Sequence, residues 1–89
     1  MQRKLITIKN KLGLHTRASM KLINTADRFM SDVIIKHENN EVNAKSILNV
    51  MALAVTKGTE IELITSGPDE EAAMQAVSEL IENRFDEEE

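Results

Sequence analysis

Apolar residues recur along this chain at two spacings, every second residue or every third to fourth, and the switches between them mark its elements. Residues 4–9 alternate, with Ile6 and Ile8 able to face one side, which predicts a first strand. Residues 10–14 form a loop, where Gly13 marks backbone at positive φ or in close approach to another group. From Thr16 to about Arg28, the residues Ser19, Leu22, Ile23, Ala26 and then Met30 recur at helical steps and predict an amphipathic helix. Val33, Ile34 and Ile35 are β-branched and predict a strand over residues 32–36. Residues 38–41 supply a turn, because Asn tolerates left-handed backbone, and Val42 and Ala44 return as a short strand.

Residues 46–55 are almost wholly apolar after an initial serine. Their length and that serine favour a short helix with Ser46 as N-cap, while a strand over 50–55 is the rival that periodicity leaves open. Lys57 and Gly58 close the segment, the glycine as a C-cap. Residues 60–65 alternate with Ile61 and Leu63 inward. Ser66-Gly67-Pro68-Asp69-Glu70-Glu71 opens a last helix, with Pro in its first turn and acids at the positive end of its dipole. Ala73, Val77, Leu80 and Ile81 give that helix its buried stripe, and residues 86–89 read as a solvated, fraying tail. The order is β-α-β-β-α-β-α. Four strands and three helices in so short a chain predict an α+β fold of two layers, helices covering one face of a mainly antiparallel sheet.

Eighty-nine residues, 42% of them apolar, suffice for one small domain over 1–89 with a single core. Phe29 and Phe85 are the only aromatic residues, so that core is aliphatic. The net charge of −4 argues against a nucleic-acid partner, which needs a basic field. The absence of cysteine excludes disulfides and thiolate metal sites and fits a reducing cytoplasm. Residues 1–4 lead straight into a strand instead of an apolar signal region, and no run is long enough to cross a bilayer. The expectation is a soluble cytoplasmic domain.

The candidate chemistry lies at the start of the first helix. His15 stands two residues after Gly13 and two before Arg17. A helix start gathers free backbone N–H groups and the positive end of the dipole, which seats a phosphate or other oxyanion. Arg17 lies about 200° around the helix from Ser19, off the buried stripe and near the histidine, and offers a planar fork of donors to such an anion. These positive groups also disfavour imidazolium, which keeps the ring neutral and able to attack. The plainer alternatives are a surface histidine serving as an N-cap and a solvated helix arginine. His37, in the hairpin, reads as simply exposed. The acids have no His or Cys companions at ligand spacing, so neither a metal site nor a cofactor is expected.

Gly13-Leu14-His15-Thr16-Arg17, with this element order, resembles the HPr family, the histidine-containing phosphocarriers of the bacterial phosphoenolpyruvate-dependent phosphotransferase system. Lys45-Ser46-Ile47-Leu48, Lys57-Gly58 and Gly67-Pro68-Asp69-Glu70-Glu71 fit the same resemblance, which covers nearly the whole chain. Residues 85–89 and Asn10-Lys11-Leu12-Gly13 look like the nitrogen-related branch, NPr, whereas the segment from Lys45 to Met51 looks like carriers regulated by a serine kinase. One departure is Ala18, where the family usually has proline; the first helical turn should be slightly looser for it.

The resemblance implies a four-stranded sheet in the order 1-4-2-3. It implies that His15 accepts a phosphoryl group on Nδ1 from enzyme I and passes it to an enzyme IIA, in the sugar or the nitrogen-related branch. Arg17 and the backbone of Thr16 and Arg17 would hold the phosphate. Such a chain is a carrier, not an enzyme, and a monomer. Ser46 would be the target of a serine kinase and phosphorylase, which makes a regulatory binding module, switched by phosphorylation at Ser46 or His15, the alternative function. Ile47, Leu48, Met51 and Met20 would dock the partners. An α+β interaction domain with an inert histidine is the third reading.

Overall fold

The computed structural model describes residues 1–87. Its elements are β1 (Gln2–Thr7), α1 (Thr16–Ala26), β2 (Asp32–His37), β3 (Asn40–Asn43), α2 (Ile47–Ala52), β4 (Glu60–Ser66) and α3 (Glu70–Glu82), followed by a 3-10 turn at Arg84–Asp86. The order is the predicted one. The strands form one antiparallel sheet in the order β1-β4-β2-β3, as the resemblance implied.

Alternation decides which face of the sheet is covered. Pairing sets Ile6 opposite Ile61 and Ile35 opposite both Leu63 and Val42, so these side chains share one face. Ile6, Ile61, Leu63, Val33 and Ile35 are buried there with Leu22 and Ala26 of α1 and Ala73, Val77 and Ile81 of α3. The other face carries Leu5, which is 62% exposed, and the Arg3–Glu62 ion pair at 3.2 Å.

The helices depart from expectation at their ends. The ladder of α1 tightens after Ala26, where the N–H of Arg28 donates to Thr25 O and that of Phe29 to Ala26 O, both 3.2 Å. The chain then turns away, and Met30 is 82% exposed instead of continuing the buried stripe. α2 is only six residues long, and residues 53–55 are neither helix nor strand. Ala54 takes the left-handed position after it (φ 52), the place expected of Gly58. Gly58 instead turns the chain into β4, its N–H donating to Ile8 O at 2.8 Å. Pro68 precedes the N-cap Asp69 and so lies just outside the first turn of α3, which Glu70 and Glu71 do occupy. Leu80 is only partly buried.

The largest correction concerns the chain end. Phe85 is fully buried in the core cluster, within a turn where Arg84, Phe85 and Asp86 all have left-handed φ of 58, 55 and 61°. Asp86 and Glu87 therefore follow an anchored residue and do not form a free tail; Glu88 and Glu89 lie outside the described residues.

Asp69 ties the turn after α1 to the start of α3. Its carboxylate accepts from the N–H groups of Met30 and Ser31 and from the Ser31 hydroxyl, while its own N–H donates to that hydroxyl oxygen at 3.1 Å. The Ser31 bond, then the Met30 bond, hold the carboxyl below the ordinary carboxylate range. A carboxyl with a lowered folded-state pKa adds stability above its unfolded value and loses it as pH falls through the folded one. Asp69→Asn should therefore lower Tm near neutral pH and flatten its fall below about pH 4, as scanning calorimetry across pH will register. Ala54→Gly should raise stability by about 0.5–1 kcal/mol, because a Cβ is penalised at left-handed φ. Urea denaturation measures that gain; a loss would mean Ala54 contributes packing that outweighs its backbone cost.

Candidate functional site

The site grows from the loop between β1 and α1. Gly13 has φ +64°, and a Cβ there would lie 2.5 Å from Val55 O, so the close approach expected of this glycine is real. Its N–H donates to Asn10 O at 3.2 Å, and the N–H of Leu14 donates to Val55 O at 3.1 Å. Leu14 is buried, and its carbonyl accepts the Ser19 hydroxyl at 3.1 Å. The loop is thus pinned on both sides, and the chain enters α1 in a fixed direction.

His15 occupies the N-cap position with extended backbone, and its carbonyl accepts the N–H of Ser19 at 2.8 Å. Its side chain makes no capping bond. The N–H groups of Thr16 and Arg17 fall in the first turn, where a helix leaves donors without internal partners. Arg17 is exposed, off the buried stripe as expected, and so is Thr16; both line an open depression of about 510 Å³ with Leu12, His15 and Glu87.

Glu87 was missed by sequence. Its Oε2 lies 2.6 Å from Nε2 of His15, and its Oε1 accepts from Nδ2 of Asn10 at 2.9 Å. The same Asn10 nitrogen donates to Gly13 O at 2.7 Å. Burial alone would raise the Glu87 carboxyl, but the bonds from Asn10 and His15 outweigh it and hold the group below its ordinary range. Glu87 is therefore an ionised, acceptor-only partner, and Nε2 of His15 must carry the proton that binds it. In the tautomer with its proton on Nε2 the lone pair lies at Nδ1, which makes no hydrogen bond among the described residues. Sequence reading placed only positive groups at this ring, and the carboxylate corrects that. Phe85 was the available signal: it stands four residues after Ile81 and extends the buried stripe of α3 towards the chain end.

Ser46 holds the N-cap position of α2 by backbone alone. Its carbonyl accepts the N–H of Val50 at 3.0 Å, but its hydroxyl makes no capping bond, contrary to expectation. Leu48, Met51 and Met20 are exposed (79, 39 and 43%) and Ile47 is half-buried, on two helices that pack together. Leu12, 67% exposed, adds an apolar side chain at the depression itself. His37 ends β2 half-buried and 3.9 Å from Glu38, away from this site. No cluster of three or more His, Cys, Asp or Glu with metal-holding geometry occurs among the described residues.

The site is thus a histidine at the first helix start of an open-faced sandwich, its ring held by a carboxylate. Comparison with known proteins gives the family. The family described as the PTS HPr component phosphorylation site matches residues 2–83. The phosphocarrier protein HPr of Xylella fastidiosa is 52% identical over 82 residues, 92% of each chain. The crystal structure of HPr-C-His from Thermoanaerobacter tengcongensis superposes with a TM-score of 0.96 at 43% identity, covering all of both chains. A dimeric HPr structure from the same organism gives 0.79 at 42% identity, over 98% of this chain and all of that one. The chain belongs to the HPr family, the phosphocarriers of the phosphotransferase system.

The uncapped hydroxyl gives a direct stability test. Ser46→Ala should change unfolding free energy by no more than about 0.5 kcal/mol, not the loss of about 1 kcal/mol that removing a true capping bond brings. Urea denaturation at neutral pH distinguishes the two.

Proposed function

We propose that this protein is a phosphoryl relay, taking the group from a phosphohistidine of enzyme I onto Nδ1 of His15 and passing it to an enzyme IIA. The observation that carries this reading is the bond from Nε2 to Glu87, which leaves Nδ1 as the free lone pair beside the first turn of α1 and Arg17. In the transfer, the Nδ1 lone pair attacks phosphorus in line while the donor's P–N bond breaks and its electron pair returns to the donor ring. The return step reverses these roles on the acceptor. The protein supplies positioning and electrostatics: first-turn N–H groups and the Arg17 fork face the phosphoryl oxygens, and the Glu87 carboxylate stabilises positive charge developing on the ring.

Docking in this reading uses Leu48, Met51, Met20 and Ile47 beside the site, with Leu12 at its edge. Lys9, Lys11, Lys57 and Arg84 line a neighbouring depression of about 660 Å³, a basic surface on a chain of net charge −4 that would complement an acidic partner. The carrier works as a single copy, since the relay needs only the His15 that lines the open depression with Arg17 and no second chain.

The test is transfer of label from phosphoenolpyruvate through enzyme I. His15 should take all of it, and His15→Ala none; label on His37 would overturn the assignment. Arg17→Lys should fold normally and slow transfer by about tenfold or more, because a point charge replaces a two-pronged donor. Equal stopped-flow rates would make Arg17 a solvated residue only.

A further inference from the structure

The bonds around Glu87 run in one direction. Gly13 O and Glu87 Oε1 both accept from Nδ2 of Asn10, so the amide of Asn10 cannot turn over without losing both. Asn10 is fully buried, and its Oδ1 has no hydrogen-bond partner among the described residues. With Oε1 committed to Asn10, Oε2 is the atom that meets Nε2 of His15. The carboxylate is delivered there by a built element. Phe85 anchors the left-handed turn in the core, and Lys21 Nζ donates to Phe85 O at 2.7 Å. Three successive left-handed residues are costly backbone, and such a turn persists only where its surroundings fix it.

We propose that Glu87 is a positioning residue that closes Nε2 of His15 to phosphorylation and reserves Nδ1, so that the anchored chain end decides which nitrogen of the ring reacts. Imidazole offers two nitrogens, and a phosphoryl donor in solution can reach either one that presents a lone pair. Here Nε2 is both protonated and covered, while Nδ1 faces neither constraint. The inference deepens the relay reading and rests on it only for the identity of the reactive histidine.

Two substitutions carry opposite signatures, and both can be read without enzyme I. Phosphoramidate phosphorylates imidazole directly: the ring nitrogen attacks phosphorus, the P–N bond of the reagent breaks, and ammonia leaves with a proton from solvent. Nitrogen-15 and phosphorus-31 NMR then identify the nitrogen that carries the group. The wild-type protein should be labelled at Nδ1 of His15. Glu87→Ala removes the cover and the acceptor, so a substantial share of label, a third or more, should move to Nε2. Glu87→Gln is different. Asn10 requires the amide oxygen to face it, which turns the amide NH2 towards Nε2 and favours the tautomer with its proton on Nδ1. Labelling of His15 in that variant should slow by about tenfold, a 1.4 kcal/mol change in barrier, with native circular dichroism.

A purely structural role for Glu87 produces neither effect. Label confined to Nδ1 in Glu87→Ala would overturn the proposal, as would a wild-type labelling rate in Glu87→Gln. Because the reagent replaces enzyme I, such a failure leaves the relay standing, and failure of transfer from enzyme I leaves this result readable.

Discussion

The site depends on one buried amide. Asn10 joins the loop before α1 to the chain end, since its Nδ2 donates both to Gly13 O and to Glu87 Oε1. The loop bond holds the turn that Gly13 makes against Val55, and the other aims the carboxylate at His15. Its cost is visible in the same side chain: Oδ1 is buried without a partner among the described residues. An unsatisfied buried acceptor typically costs about 1–3 kcal/mol. Here the orientation that strands Oδ1 is the one that serves loop and tail together.

Much of the frame was legible because period and burial agree. The alternation of Ile61 and Leu63, the helical recurrence of Leu22, Ile23 and Ala26, and the acids opening α3 each name an element and its inward face. The open face of the sheet follows from the same alternation. The sheet order was a different matter. Nothing in the spacing requires β4 to lie between β1 and β2, and only family resemblance supplied it. Helix ends were misread where backbone overrides composition. Ala54 adopts a left-handed angle that a pattern reader assigns to glycine, and Met30 matches the stripe of α1 but falls after its last turn.

At the candidate site, His15, Thr16 and Arg17 were singled out because a histidine two residues from an arginine at a helix start has a reason to be there. Glu87 was not, because acidic residues at a chain end are usually solvated and the sequence carries no mark of three consecutive left-handed residues. Those angles are what bring residue 87 back across α1. Without them a carboxylate 72 positions from His15 could not be placed at 2.6 Å by any local rule. Ser46 erred in the opposite sense: its position and type fit a cap, yet its hydroxyl forms no capping bond, so residue identity at an N-cap is weaker evidence than geometry.

The two ends of the described chain differ in how their charge is used. The α-ammonium of Met1 pairs with Glu70 at 2.6 Å, an ion pair between exposed or partly exposed groups that closes one end of α3 against β1. Pairs of that kind contribute little to stability. Glu87 meets His15 across the same 2.6 Å, but with both side chains three-quarters or more covered and a fixed donor behind the carboxylate. Less water screens that contact, and its direction is set by covalent and hydrogen-bonded neighbours instead of by diffusion of a free side chain. A charge so held costs little reorganisation when the ring it faces changes charge, which is the property an electrostatic partner of a reacting histidine requires. Burying Phe85, worth roughly 2–3 kcal/mol, fixes the turn from which this carboxylate departs. The core and the chemistry are thus joined through the last aromatic residue of the chain.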